Sequence, residues 1–214
     1  MKKVSLFLTM LLVFTGISAQ TAQSVLDRTI TKLESDFGIE TKVQIKNTTQ
    51  FDILPANASG TIRMNGAMYR LTLPDMRVWF DGQTQWALTG DEDFQEIYIS
   101  TPSSSEIAQL NPFQMLRDRS SFKASQVKST TYDGKNAQAL TLTATGAANM
   151  GLSQVTVTID AQTFRPMAID VEFTNTSGRL SVVMTDYRTG IETKANDFRC
   201  PLSEYKEADI IDLR

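Results

Sequence analysis

The residues that could do chemistry in this chain of 214 are few, and they are mostly carboxylates. The chain contains no histidine and one cysteine, Cys200. That excludes Ser-His and Cys-His nucleophile pairs, histidine-bearing zinc sites and thiolate clusters. Asp91, Glu92 and Asp93 stand together in a polar loop, and Asp170 and Glu172 share one side of an alternating segment. Paired across a cavity, such groups could serve a glycoside hydrolase; converging in a loop, they could hold calcium. Alternation turns Asp170 and Glu172 outward, however, and the 91–93 run reads as a solvated loop. There is no Gly-rich phosphate loop. Asn47, Asn57 and Asn175 head N-x-S/T sequons, which become glycan sites only in a eukaryotic source. Catalysis therefore has little to stand on, and no enzyme activity, metal or cofactor is expected.

The elements that would position a binding site are one helix followed by many strands. Val25, Leu26, Ile30 and Leu33 recur at helical spacing between Gln23 and Ser35. Period-2 alternation then takes over. Ile62 and Met64 oppose Thr61 and Arg63; Tyr69, Leu71 and Leu73 oppose Arg70 and Thr72; Met167, Ile169, Val171 and Phe173 oppose Asp170 and Glu172. Residues 155–159, VTVTI, alternate throughout. Turn signals at Asn65-Gly66, Asp81-Gly82, Asp133-Gly134, Asn175–Gly178 and Thr189-Gly190 predict consecutive antiparallel hairpins. The strand rhythm breaks at residues 101–121, where Pro102 to Glu106 and then Asn111-Pro112 signal two short helical starts. The fold class is mainly β (α+β), an antiparallel sheet curled around its apolar face with helices on the open side. Patterning alone leaves two covers for that face open, a second sheet or the helices with a cavity beneath them.

The first twenty residues read as a secretory signal. Lys2 and Lys3 precede an apolar run from Val4 to Phe14, and Ser18-Ala19-Gln20 forms a small-residue exit. The run is shorter than the roughly 20 residues a membrane span needs. No cysteine lies near the exit, so a soluble exported protein is expected, with residues 21–214 as a single domain. Loss of Lys2 and Lys3 takes the net charge from −3 to −5, so attraction to nucleic acid or an anionic membrane surface is not expected. One cysteine makes no internal disulfide, so the core alone must hold the fold. A domain of this size buries about 70% of its unfolded surface and can do so.

The order of these motifs resembles the periplasmic outer-membrane lipoprotein carrier proteins, the LolA type. ASGTIRM looks like that family's glycine-started strand at Gly60, Ile62 and Met64. Asp81, Gly82, Thr84 and Trp86 in LPDMRVWFDGQTQWAL match its Asp-Gly turn and following strand. LNPFQML, Leu110 to Leu116, is similar to the short apolar helix of its lid, and Phe198 and Pro201 fall on its terminal Phe-x-x-Pro pattern. The likeness covers nearly the whole mature chain. It implies a strongly curved antiparallel sheet forming an unclosed β-barrel, covered by the N-terminal helix and a short helical lid.

The resemblance further implies a periplasmic chaperone that catalyses nothing. Such a monomer takes acylated lipoproteins from an inner-membrane lipoprotein-releasing ABC transporter complex and passes them to an outer-membrane receptor. The implied acyl cavity is lined by Ile62, Met64, Tyr69, Leu71, Trp86, Leu140, Leu142, Val157, Ile169, Val171 and Phe173, with Pro112, Phe113, Met115 and Leu116 on the lid. Met64, Met115, Met167 and Met184 would supply an adaptable lining. The alternative is a periplasmic lipid-binding or envelope-sensor domain of the same fold. One departure stands out. Where well-known members carry an Arg-Pro that latches the lid to backbone carbonyls, this chain reads Asn65-Gly66-Ala67. Arg63 and Arg70 alternate onto the wet face, so neither is assigned as a latch.

Both tryptophans fall in the hairpin RVWFDGQTQWALT. A two-residue turn there would pair Trp79 with Thr84, and alternation expects Trp86 on the inner face, where an acyl ligand would shift its fluorescence.

Overall fold

The computed structural model describes residues 21–49, 54–91, 94–103, 111–117, 122–144, 152–173 and 178–214, apart from the side chains of Pro112, Met115 and Ala144. Thr21 caps the first helix, its Oγ1 accepting from the Ser24 amide at 3.2 Å. Helix α1, Ala22–Ser35, buries Val25, Leu26, Thr29, Ile30 and Leu33 as one apolar stripe. At its end Asp36 takes Lys32 at 2.6 Å and Arg165 at 3.1 Å, tying the helix exit to the sheet.

Six strands follow: β1 (Ile39–Asn47), β2 (Asn57–Asn65), β3 (Met68–Thr72), β4 (Met76–Phe80), β5 (Gln85–Gly90) and β6 (Gln95–Ser100). After a short helix α2 (Pro112–Arg117) come β7 (Phe122–Tyr132), β8 (Lys135–Ala144), β9 (Leu152–Asp160), β10 (Pro166–Phe173), β11 (Arg179–Arg188) and β12 (Asp209–Asp212). They form one twelve-stranded sheet in the order β12-β6-β5-β4-β3-β2-β1-β11-β10-β9-β8-β7. Its two ends do not pair with each other, so the barrel is unclosed. Apart from β12, each half is a run of neighbouring antiparallel strands, and β1 pairing with β11 joins the halves. The hairpins follow their turn residues. Asp133 and Gly134 both hold positive φ between Tyr132 and Lys135, as a type I′ turn requires.

The connection from β6 to β7 is the topologically long one. β6 lies next to one end of the sheet and β7 forms the other end, so the connection between them links the two sides of the opening. Helix α2 sits on that connection and α1 packs against β7 and β8 beside it. Of the two expected helical starts, Asn111-Pro112 begins α2. The one starting at Pro102 runs into residues 104–110, which lie outside the described residues, as do Glu92, Asp93 and residues 175–177 of a predicted turn.

The structure corrects the reading of the tryptophan hairpin. The loop has four residues, 81–84, with Phe80 opposite Gln85 and Trp79 directly opposite Trp86. Asp81 builds it, its Oδ1 accepting from the amides of Gln83 at 3.1 Å and Thr84 at 2.9 Å. Gln85, and not Trp86, faces inward, because its Oε1 accepts the hydroxyl of the buried Tyr69 at 2.9 Å. Trp86 therefore lies on the outer face with Trp79, Leu88, Ile97 and Ile99.

A second, smaller core forms there, closed by Cys200, Tyr205 and Ala208 of the C-terminal segment. Tyr205 meets Trp79 edge-on at 6.0 Å between ring centroids, and its hydroxyl accepts from Arg77 at 2.7 Å. Strand β12 then pairs with β6 in parallel, the one parallel ladder among the described strands. Tyr205→Ala should accordingly red-shift tryptophan emission and lower stability by about 1 kcal/mol. An acyl ligand entering the interior should leave that emission nearly unchanged, and fluorescence spectra with and without fatty acid check both expectations.

Candidate functional site

Ile62, Met64, Tyr69, Leu71, Leu140, Leu142, Val157, Ile169 and Val171 all belong to one contiguous buried cluster, each between 0% and 6% exposed. They come from β2 and β3 on one side of the barrel and from β8, β9 and β10 on the other, so the sheet curls far enough to bring its halves together. Phe173 packs against the cluster from a partly buried position. Trp86 is absent from it, for the register reason given above. Met184 is in the cluster, whereas Met167 is not. A bulge between Pro166 and Ala168 breaks the alternation at Met167. Helix α1 supplies Val25, Leu26, Ile30 and Leu33 to the same cluster.

Helix α2 adds to the same cluster. Phe113 and Leu116 stand one helical turn apart and are buried in the cluster. Pro112 and Met115, the other two expected lid residues, have side chains outside the described set. Asn111 is fully buried and starts the helix, its Oδ1 accepting from the Phe113 amide at 3.1 Å. Its Nδ2 points at the Met64 sulfur at 3.7 Å.

The polar side of α2 grips the rim. Gln114 Nε2 donates to the carbonyl oxygens of Gly66 at 3.2 Å and Ala67 at 2.9 Å. Arg117 donates through Nη1 to the Gly66 carbonyl and through Nη2 to the Leu33 carbonyl at 3.0 Å. Leu33 lies in the last turn of α1, where carbonyls lack helical partners and attract a cation. One guanidinium thus ties α2, α1 and the β2–β3 turn together. Burial pulls Arg117 below the ordinary guanidinium range, and its Nε is buried without a partner among the described residues. The carbonyl acceptors are those of the Gly66-Ala67 turn, where the family arginine is missing. Sequence reasoning missed Arg117. Its visible signal was spacing alone, since Gln114 and Arg117 fall on one helix face three residues apart.

The remaining reactive groups are engaged elsewhere. Asp170 and Glu172 share Arg179 at 3.7 Å and 3.2 Å on the outer side of β10. Asp91 Oδ1 accepts from the Phe94 amide at 3.0 Å in the β5–β6 turn. Burial and the nearby Glu204 push the Cys200 thiol up to about 11, which leaves it protonated and inert at neutral pH. Among the described residues no group of three or more Cys, Asp or Glu is placed to hold a metal, and no helix is long and apolar enough to cross a membrane. What the arrangement can do is enclose apolar matter beneath a short helix fastened by hydrogen bonds.

Two solved structures share this fold. The lipoprotein LppX of Mycobacterium tuberculosis is 14% identical, with 81% of this chain and 98% of that chain covered and a TM-score of 0.51. An uncharacterized conserved protein from Thermus thermophilus is 11% identical, with 90% and 99% covered and a TM-score of 0.58. At such identities the likeness concerns fold alone. No curated protein matches the sequence. Residues 12–174 match the family described as "Outer membrane lipoprotein carrier protein LolA". Since that match spans most of the chain, and the unclosed sheet with its fastened helix agrees with it, the protein belongs to the outer membrane lipoprotein carrier protein LolA family.

Proposed function

We propose that this protein carries acylated lipoproteins across the periplasm. In this reading residues 1–20 are a signal removed on export, and residues 21–214 act as a single monomeric domain. Ile62, Met64, Tyr69, Leu71, Leu140, Leu142, Val157, Ile169, Val171 and Phe173 accept the acyl chains. An inner-membrane lipoprotein-releasing ABC transporter complex loads it, an outer-membrane receptor unloads it, and it catalyses no reaction. The observation that carries the proposal is the short covering helix, in which Phe113 and Leu116 occupy the interior while Gln114 and Arg117 hydrogen-bond α2 to the rim.

The magnitudes favour exchange of that helix for cargo. Withdrawing two large apolar side chains from a core costs roughly 3–6 kcal/mol. Each acyl CH₂ buried in their place contributes about 0.8 kcal/mol, so about eight methylenes offset the whole cost. Lipoprotein acyl chains exceed that length, whereas a short apolar metabolite does not reach it. This preference separates a lipid carrier from a general apolar binder.

Mature protein isolated from its host should yield acylated protein on extraction, detected by mass spectrometry and immunoblot. Recovery of free lipid alone would point to the lipid-binding or sensor reading, and persistent absence of both would end the carrier proposal. Arg117→Ala should speed hydrogen exchange of the α2 amides and raise fatty-acid uptake several-fold. Stability should fall by only about 1–2 kcal/mol, because the lost bonds are offset by relief of a buried, incompletely satisfied cation. Unchanged α2 protection in that variant would remove Arg117 from lid closure.

A further inference from the structure

The outer face of β1, β2 and β3 carries charge in an arrangement that stability does not explain. Strand registers trace two adjacent rows across it. In the first, Arg188 is opposite Glu40, Glu40 opposite Arg63, and Arg63 opposite Arg70. In the second, Lys42 is opposite Thr61, Thr61 opposite Thr72, and Thr72 opposite Arg77. Members of both rows lie on the same face, since Glu40 and Lys42, Arg63 and Thr61, and Arg70 and Thr72 are each two residues apart. The two rows thereby hold five cations, of which Arg63, Arg188 and Arg70 act on Glu40 and Lys42 pairs with Asp186 at 2.5 Å, on a chain whose net charge is −3.

Glu40 serves two of these cations at once. Arg63 Nε donates to its Oε2 at 2.9 Å and Arg188 donates to its Oε1. Arg77 is held by the Tyr205 hydroxyl. Arg70 has no ion pair among the described residues and stands directly across from Arg63. Like charges directly opposite in an antiparallel pair destabilise a sheet. Beside this pair the facing hydroxyls of Thr61 and Thr72 complete a depression of about 270 Å³ lined by Glu40, Thr61, Arg63, Arg70 and Thr72.

We propose that this depression is a binding site for a phosphoryl group. Guanidinium forks and hydroxyl donors together match the several acceptor oxygens of a phosphate ester, and Arg70, which makes no direct ion pair with Glu40, keeps its guanidinium fork open to one. Glu40 restricts the anion to the Arg70–Thr72 side of the depression. The site lies on the opposite face of the sheet from the acyl-binding interior, and it does not depend on the carrier proposal. The phosphoryl group has two possible sources, a phospholipid head group or a free phosphate compound.

The test uses the mature protein and its Arg70→Gln variant in about 0.1 M salt, where long-range attraction is screened. Inorganic phosphate is titrated by NMR, and sedimentation is measured with phosphatidylglycerol and phosphatidylcholine vesicles. Shifts at Thr61, Thr72 and the arginine side chains with phosphate support the site and a free-phosphate source. Sedimentation with phosphatidylglycerol and not phosphatidylcholine supports it with a lipid source. In either case Arg70→Gln should weaken binding at least tenfold while Tm stays level or rises, because removing a like-charge neighbour relieves repulsion. No binding of either probe overturns the proposal, and so does binding that survives Arg70→Gln. A fall of several degrees in Tm for that variant would make Arg70 structural and likewise overturn it.

Discussion

The structure depends on one constraint: a single open sheet has more apolar inner surface than it can cover with itself. In a sandwich a second sheet would supply the missing layer, and in a closed barrel the strands would supply it mutually. Here the two ends of the sheet stay apart, and α1 and α2 make up the difference from outside the ladder. Among the described residues, these two helices are therefore held by side-chain burial and a few polar contacts, where the sheet is held by continuous backbone ladders. That asymmetry divides the protein into a rigid shell and a cover bound by fewer interactions.

Much of the shell was legible in the sequence. The stripe of α1, the alternation of β2, β3, β9 and β10, and the Asn111-Pro112 start of α2 each rest on short-range periodicity or capping, which neighbours in the chain determine. The errors came where a partner far along the chain decides orientation. A glutamine reads as a wet-face residue until the hydroxyl of Tyr69, sixteen positions earlier, is seen to need an acceptor. With Gln85 turned in, Trp86 must turn out, and the inner face loses the aromatic assigned to it. The clue was that β4 is apolar on both faces at Val78, Trp79 and Phe80, which calls for two covers. The second cover, the tail around Cys200 and Tyr205, has no periodicity of its own to announce it.

The closing helix shows how a contact can be kept while its donor moves. The family resemblance implies a latch in which an arginine on the barrel meets backbone carbonyls of the lid. In this chain the barrel turn Gly66-Ala67 offers the carbonyls, and the arginine sits on the helix. The geometry needed at the rim is a fork of donors meeting carbonyls that have no ladder partner, and neither element is obliged to carry the fork. A comparison of positions alone would record a lost residue, although the cross-link is present from the other side.

The fastening is also weak in net terms, for a physical reason. Hydrogen bonds from a charged donor contribute about 1.5–3 kcal/mol each, but burying a guanidinium with one nitrogen unpaired takes back several kcal/mol. Arg117 thus sets where α2 docks more than how strongly it docks. Strength comes from Phe113 and Leu116, whose contribution is apolar and non-directional. The cover is thus located by polar geometry and held by apolar burial, two contributions that separate substitutions can remove independently.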